Sequence, residues 1–90
     1  MSERTSFHKI IYYPLITEKA VTGVELRKQV TFIVNPKATK TDIKRAIKEY
    51  FKVDVAKVNT MNTPKGLKKA IVTFKTKDDA MEVAVALGIL

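Results

Sequence analysis

The sequence concentrates hydrogen-bonding and cationic side chains between Val53 and Phe74. Two runs of alternating apolar and polar residues flank a segment with Pro and Gly, a pattern typical of a β-hairpin. No acidic residue occurs between Lys57 and Lys75. Compact amide, hydroxyl and ammonium groups at such a turn suit the phosphates and riboses of a nucleic acid. The candidate binding residues of this segment are Asn59, Thr60, Asn62, Thr63, Lys65, Lys68 and Lys69.

A solvated hairpin tip is the alternative, because lysines at the edge of a sheet also keep it soluble. The distribution of charge bears on this choice. Of the net charge of +8, Met1 to Pro36 carries +2, Lys37 to Lys75 carries +8 and Thr76 to Leu90 carries −2. A basic region beside nearly balanced flanks is typical of a surface that binds a polyanion, most often a nucleic acid.

The composition indicates one folded domain with a modest core, since 46% of the 90 residues are apolar and 29% are charged. The absence of cysteine excludes disulfides, thiol chemistry and Cys-type zinc sites. No signal peptide, membrane span or basic amphipathic helix with Trp or Phe is recognisable, so membrane insertion is not expected. We expect a soluble, cytoplasmic protein that is a monomer when isolated.

The segment from Thr39 to Lys52 is predicted to be an amphipathic helix. Thr39 and Asp42 form a capping-box pattern at its start. Its apolar stripe comprises Ile43, Ala46, Ile47, Tyr50 and Phe51. The opposite face repeats a lysine every fourth residue, and like charges at this spacing repel unless a counter-charged partner relieves them. Lys40 and Lys44 are the candidate RNA contacts, and a solvated face is the alternative that weighs more for Lys48 and Lys52.

The segments before this helix have weaker patterns. Met1 to His8 is polar, without periodicity, and is predicted to be a mobile arm. Lys9 to Ile16 is predicted to be a strand that Pro14 ends or confines to a sheet edge. In it, Tyr13 could stack on an RNA base, or its ring could simply be half buried.

Three further elements follow from local signals. Thr17 and Glu18 suit the start of a helix, which Gly23 indicates to be brief. From Lys28 to Val34, Val30, Phe32 and Val34 would share one face of a strand and Thr31 and Ile33 the other, which predicts a buried strand. Thr76 to Leu90 is predicted to be a last helix, with Gly88 as its C-cap and a core stripe of Ala80, Met81, Ala84 and Leu87.

The predicted order is β-α-β-α-β-β-α, an α+β fold with helices packed on a mostly antiparallel sheet of three or four strands. Catalysis is not expected, because His8 is the only histidine and no cysteine is present. Asp78, Asp79 and Glu82 suit the positive end of a helix without any chemistry. No metal site or cofactor is predicted.

An RNA-recognition-motif domain, which binds single-stranded RNA, is an alternative with the same βαββα order. Ala70 to Phe74 matches the latter half of its aromatic strand motif. The base-stacking aromatics would, however, fall at Lys69 and Ile71, which cannot stack on bases as Phe or Tyr does. The strand therefore favours a turn held against RNA backbone.

Four motifs, in order along the chain, resemble those of the ribosomal protein L23 family. They are Tyr13 to Ala20 (YPLITEKA), Ala38-Thr39-Lys40 leading into Ile43-Lys44, Val58-Asn59-Thr60, and Lys68 to Val72 (KKAIV). The similarity is collinear from about Ile10 to Leu87, and Met61 to Gly66 (MNTPKG) resembles the archaeal and eukaryotic branch.

The resemblance implies a structural protein of the large ribosomal subunit. It would bind the third domain of large-subunit ribosomal RNA beside the polypeptide exit tunnel, next to ribosomal protein L29, where chaperones and the signal recognition particle dock. Glu18 matches the acid associated with factor docking in bacterial members, and helix capping is its competing explanation. The RNA contacts carried over are Thr17, Lys19, Lys40, Lys44, Asn59, Thr60, Lys68 and Lys69.

The hairpin departs from the bacterial pattern. Bacterial relatives carry a much longer hairpin that reaches into the tunnel, whereas here only the eight residues from Thr60 to Leu67 separate the predicted strands. Tunnel lining is therefore not expected of this protein, and another protein is expected to fill that place in its ribosome.

Overall fold

The computed structural model describes residues 3–89, without the side chains of residues 3–6 and 20. The four strands form one antiparallel sheet in the order β1-β2-β4-β3. The predicted α+β class and antiparallel sheet are confirmed. The elements are α1 (Glu3–Ile10), β1 (Ile11–Pro14), α2 (Glu18–Arg27), β2 (Gln29–Val34), α3 (Lys40–Phe51), β3 (Val55–Asn62), β4 (Lys68–Phe74) and α4 (Lys77–Ala86).

The core lies between one face of the sheet and the four helices, and α2 contributes Val24, which has 0% exposure. Alternate residues of the central strands, among them Phe32, Val72 and Phe74, point into it and are almost fully buried. From α3 the predicted stripe supplies Ile43 and Ile47, both with 0% exposure. Burying one such side chain contributes about 1.5–3 kcal/mol, so the apolar stripe holds α3 flat against the sheet.

The predicted hairpin is confirmed, with a shorter connection than expected. Residues 63–67 join β3 to β4, because the ladder continues to the pair Asn62–Lys68. The Thr63 N–H donates to the Leu67 carbonyl at 2.8 Å, and the Thr63 hydroxyl both donates to that carbonyl and accepts from the Leu67 N–H, at 3.1 Å each. Gly66 takes the left-handed conformation that the turn needs, with φ of 81°.

An N-terminal helix precedes the first strand, and the predicted order lacks it. The Phe7 ring in α1 is 6% exposed, stacks on Tyr50 with centroids 4.0 Å apart, and meets Phe51 edge-on at 5.8 Å. An isolated apolar residue such as Phe7 creates no hydrophobic period in the sequence. A helix this short is held by tertiary packing, which a local pattern does not reveal. The predicted mobility of residues 1–8 in the free protein stays a prediction, and residues 1 and 2 lie outside the described residues.

Helix α2 has ten residues. It begins at Glu18, where the Val21 N–H donates to the Thr17 carbonyl at 2.9 Å, and it continues through Gly23 to Arg27. A single interior glycine weakens a helix without ending it. Lys28, with φ of 58°, ends it instead.

Candidate RNA-binding surface

The hairpin turn projects from the end of the sheet at which β2 and β3 finish and β4 begins, and we call this the hairpin end. Its last row of paired residues is Val34, Lys68 and Asn62. The Lys68 ammonium group donates to the Ala38 carbonyl oxygen at 2.5 Å. Ala38 lies just before α3, so this bond ties the hairpin to the start of that helix. It places Lys40, the first residue of α3, at the hairpin end.

The side chains of Lys68 and Lys69 lie on opposite faces of the sheet, because strand residues alternate. Lys68 shares its face with the buried Ala70, on the side of the core. Lys69 lies on the other side, which we call the open face. In the three long strands the open face consists of Gln29, Thr31, Ile33, Lys57, Asn59, Met61, Lys69, Ile71 and Thr73.

The predicted contact residues therefore divide between two surfaces that meet at the hairpin end. Asn59 and Lys69 lie on the open face, and the half-exposed Tyr13 borders it through its pairing with Ile33. On the core side, the partly buried Thr60 lies opposite Ala70, and Lys40, Lys44, Asn62 and Lys68 share this side. At the tip, Lys65 is exposed and Thr63 uses its hydroxyl within the turn.

Helix α2 borders the open face and forms a groove of about 580 Å³ with it. Two of the predicted residues, Thr17 and Lys19, line this groove together with Lys69. Glu18, the first residue of α2, is exposed and is not part of the groove lining. The remaining lining residues are Leu15, Thr22, Gly23, Leu26, Arg27, Gln29, Thr31, Met61 and Ile71.

The lysines at the end of α3 have different surroundings from those at its start. Lys48 and Lys52 line a hollow of about 720 Å³ that also contains Glu49, Asp54 and Asp79. Carboxylates at this end repel phosphate, so the structure favours a solvated, charge-balanced face for these two lysines. Glu49 and Asp54 are close to these lysines in the sequence, whereas Asp79 is brought there only by the packing of α4.

The capping box at the start of α3 is confirmed. The Asp42 N–H donates to the Thr39 hydroxyl and the Thr39 N–H donates to the Asp42 carboxylate, at 3.1 Å each. Hydrogen bonds that the carboxylate accepts from the Thr39 backbone N–H and then from the Thr39 side chain, with a smaller contribution from the charge of Arg45, lower the pKa of Asp42 below its ordinary value. The one acid in the first turn of α3 is thus held by the helix cap.

Comparison with known proteins gives a consistent result. The model of the family described as "Ribosomal protein L23" matches residues 9–77. Similar relatives named "Large ribosomal subunit protein uL23" occur in Methanococcus aeolicus and in two strains of Methanococcus maripaludis, C7 and C5. Each is 48% identical over 80 residues, which cover 89% of this chain and 93% of the relative.

The chain belongs to the ribosomal protein L23 family. It is a protein of the large ribosomal subunit, located on the ribosome in the cytoplasm, as the motifs from Tyr13 to Val72 predicted. The relatives carry the name of a ribosomal protein and not of an enzyme. Within residues 3–89, no helix is long and apolar enough to cross a membrane. The same residues contain no group of three or more His, Cys, Asp or Glu side chains that could hold a metal ion.

Residues of α2 were missed as part of the surface. Lys19, Thr22, Gly23 and Leu26 recur at i, i+3, i+4 and i+7, which is one stripe of a helix, and all four line the groove. Lys19 was a predicted contact, and counting forward from it at helical spacing would have identified the other three.

Proposed function

We propose that this L23-family protein is a non-catalytic scaffold that binds the third domain of large-subunit ribosomal RNA beside the polypeptide exit tunnel. The observation that carries the proposal is the bond from Lys68 to the Ala38 carbonyl, because it joins the hairpin to the basic start of α3. Lys40, Lys65 and Lys69 then belong to one end of the molecule, while Asp54 and Asp79 lie at the other.

Binding energy comes mainly from phosphates. Exposed lysines at the hairpin end displace counterions from the RNA, so affinity depends steeply on salt. The sheet and α3 are already folded and capped, so few protein dihedral angles are ordered when the RNA docks. Tyr13, Asn59, Thr60, Asn62 and Thr63, with Thr17 beside the groove, supply neutral contacts to ribose hydroxyls and base edges.

Partner docking forms a second part of the proposal. Ribosomal protein L29 lies beside the protein, and chaperones or the signal recognition particle dock nearby. The exposed carboxylate of Glu18 at the start of α2 supports a contact for such a factor. The connection of residues 63–67 is too short for the tip to reach far from the sheet, so tunnel lining is not part of the proposal.

The test measures binding of the full-length protein to a folded fragment of the third RNA domain. Replacing Lys40, Lys44 and Lys65 together by Gln removes three charges from the hairpin end and the start of α3. We expect weaker binding, and the slope of log affinity against log salt should fall by about 0.7 to 0.9 for each phosphate that the variant no longer neutralises.

The matched control replaces Lys48, Lys75 and Lys77 by Gln, which removes the same charge from the end that carries Asp54 and Asp79. This variant should keep nearly the wild-type affinity and slope. Both triple variants should melt close to the wild type, since exposed lysines contribute little to folding. Equal losses of affinity in the two variants would show that only net charge matters and would overturn the assigned surface.

A further inference from the structure

The groove between α2 and the open face has an apolar floor and a cationic rim. Leu15, Leu26, Met61 and Ile71 supply apolar surface, and Leu26 is 76% exposed. Lys19, Arg27 and Lys69 supply positive charge. Among the lining residues that the structure describes, none is acidic. An occupant that matches both parts is a flat, largely apolar group attached to an anion.

Gly23 lies in the wall of this groove, inside α2. A glycine within a helix costs stability relative to alanine, so its presence there calls for a reason. Its backbone φ is not in the left-handed region, unlike that of Gly66 or Gly88. A Cβ atom added at Gly23 would meet nothing within 4 Å. Packing inside the chain therefore does not require glycine, and what its missing side chain leaves is space in the groove.

The size and chemistry of the groove fit a nucleotide. Its volume of about 580 Å³ is within the range typical of small-ligand sites. The Thr22 hydroxyl donates to the Glu18 carbonyl at 3.0 Å and can still accept a bond, and the Thr31 hydroxyl is in the same lining. Proteins that read RNA commonly take up unpaired bases from loops and bulges.

We propose that this groove binds one unpaired nucleotide extruded from the RNA. The base lies over Gly23 between Leu26 and Ile71, and its flanking phosphates contact Lys19 and Lys69. This inference rests on the proposed RNA binding. It adds that the feature of the RNA bound at the open face is an unpaired nucleotide. An apolar peptide segment is the competing occupant, and the charge of the rim favours the nucleotide.

The test fills the groove without disturbing the fold. In Gly23→Leu, a helix-favouring residue is introduced where an added Cβ atom meets nothing within 4 Å, so the melting temperature should stay or rise. Affinity for the folded fragment of the third RNA domain should fall about tenfold or more, as expected when one base is no longer bound. Dimethyl sulfate modification should show one or two unpaired bases that the wild type protects and the variant exposes.

Two matched variants isolate the effect. Gly23→Ala makes the same helix more stable and leaves most of the space, so it should bind nearly as the wild type does. Ala86→Leu adds three side-chain carbons, one fewer than Gly23→Leu, at an exposed position of α4 outside the groove lining and should also bind normally.

The outcomes separate this inference from the proposed function. If wild type and Gly23→Leu bind equally and protect the same bases while the triple lysine variant of the hairpin end is weakened, RNA binding stands and the nucleotide site is refuted. If the wild type itself does not bind the folded fragment, the proposed function fails, and the inference fails with it.

Discussion

At the scale of single residues, Lys68 and Lys69 are adjacent and chemically identical but have different roles. The pleat of β4 directs Lys68 to the Ala38 carbonyl. The Lys68 ammonium group donates a hydrogen bond to this carbonyl oxygen, just before the start of α3. The same pleat directs Lys69 to the rim of the groove. Lys68 is therefore a positioning residue, and Lys69 is available to a ligand.

The capping box at the start of α3 makes a prediction at the same scale. Because the folded state lowers the pKa of Asp42, the charged carboxylate stabilises the protein above its ordinary pKa of 3.8, and this stability is lost as pH falls through the lowered value. Asp42→Asn keeps a hydrogen-bond acceptor but no charge. Its melting temperature should be below that of the wild type at pH 7, and the difference should shrink as the pH falls below 3.8.

Thermal melts followed by circular dichroism between pH 7 and pH 2 measure this difference. Glu82→Gln is the control, since the Glu82 carboxylate lies on α4 away from this cap. A gap between wild type and Asp42→Asn that stayed constant down to pH 2 would show that the charge of Asp42 adds nothing to the cap.

At the scale of elements, Phe7 is the buried anchor of helix α1 among the side chains that the structure describes. Phe7 is the only residue of α1 before Ile10 whose side chain is described as buried. Phe7→Ala removes the stack on Tyr50 and the edge contact with Phe51, and large-to-small changes of this kind cost about 3 kcal/mol or more in cores. We expect a lower urea midpoint and faster amide exchange through α1. The conservative variant Phe7→Leu should recover most of the stability.

The decisive measurement is the rate of amide hydrogen exchange in α1 of the wild-type protein. If these amides exchange as fast in the wild type as in Phe7→Ala, then α1 is not docked in the free protein, and the arm is mobile as the sequence indicated. Slow exchange that only the alanine variant abolishes would establish that the Phe7 contact holds the helix.

The elements that the sequence predicted well have signals that are local. Thr39 with Asp42, the stripe from Ile43 to Ile47, and the Pro-Lys-Gly turn each specify conformation within a few residues, so α3 and the hairpin were placed almost correctly. The features that were missed depend on contacts distant in the chain. The Phe7 stack, the placement of Asp79 in the hollow with Lys52, and the groove at Gly23 arise only when helices pack on the sheet. The lysines of the surface were identified by type, and their division between two faces followed only from the register of β4 with β2 and β3.

At the scale of the whole molecule, the basic surface and the projecting hairpin turn lie at the same end. The hairpin end is basic, the opposite end carries Asp54 and Asp79, and α4 begins with Asp78 and Asp79 in its first turn. Under the proposed function, this distribution favours encounter with RNA through the hairpin end, because the carboxylates among the lysines of the opposite end weaken its attraction for phosphate. Under the proposed function, we expect a rigid body with one basic end to bind a folded RNA surface better than a flexible strand.

The last prediction therefore compares two substrates for the intact protein. The open face has Lys69 and Ile71 where a single-strand-binding sheet carries aromatic rings, and Tyr13 only borders it. We expect filter binding to a folded fragment of the third RNA domain to be much tighter than binding to a polyuridine of equal length at the same salt, because the scaffold reads shape and phosphate positions. Lys69→Phe with Ile71→Phe, which installs stacking rings on the open face, should raise polyuridine affinity and should not improve binding to the folded fragment. Comparable affinity of the wild type for both RNAs would instead favour a single-strand-binding module of the RNA-recognition-motif type.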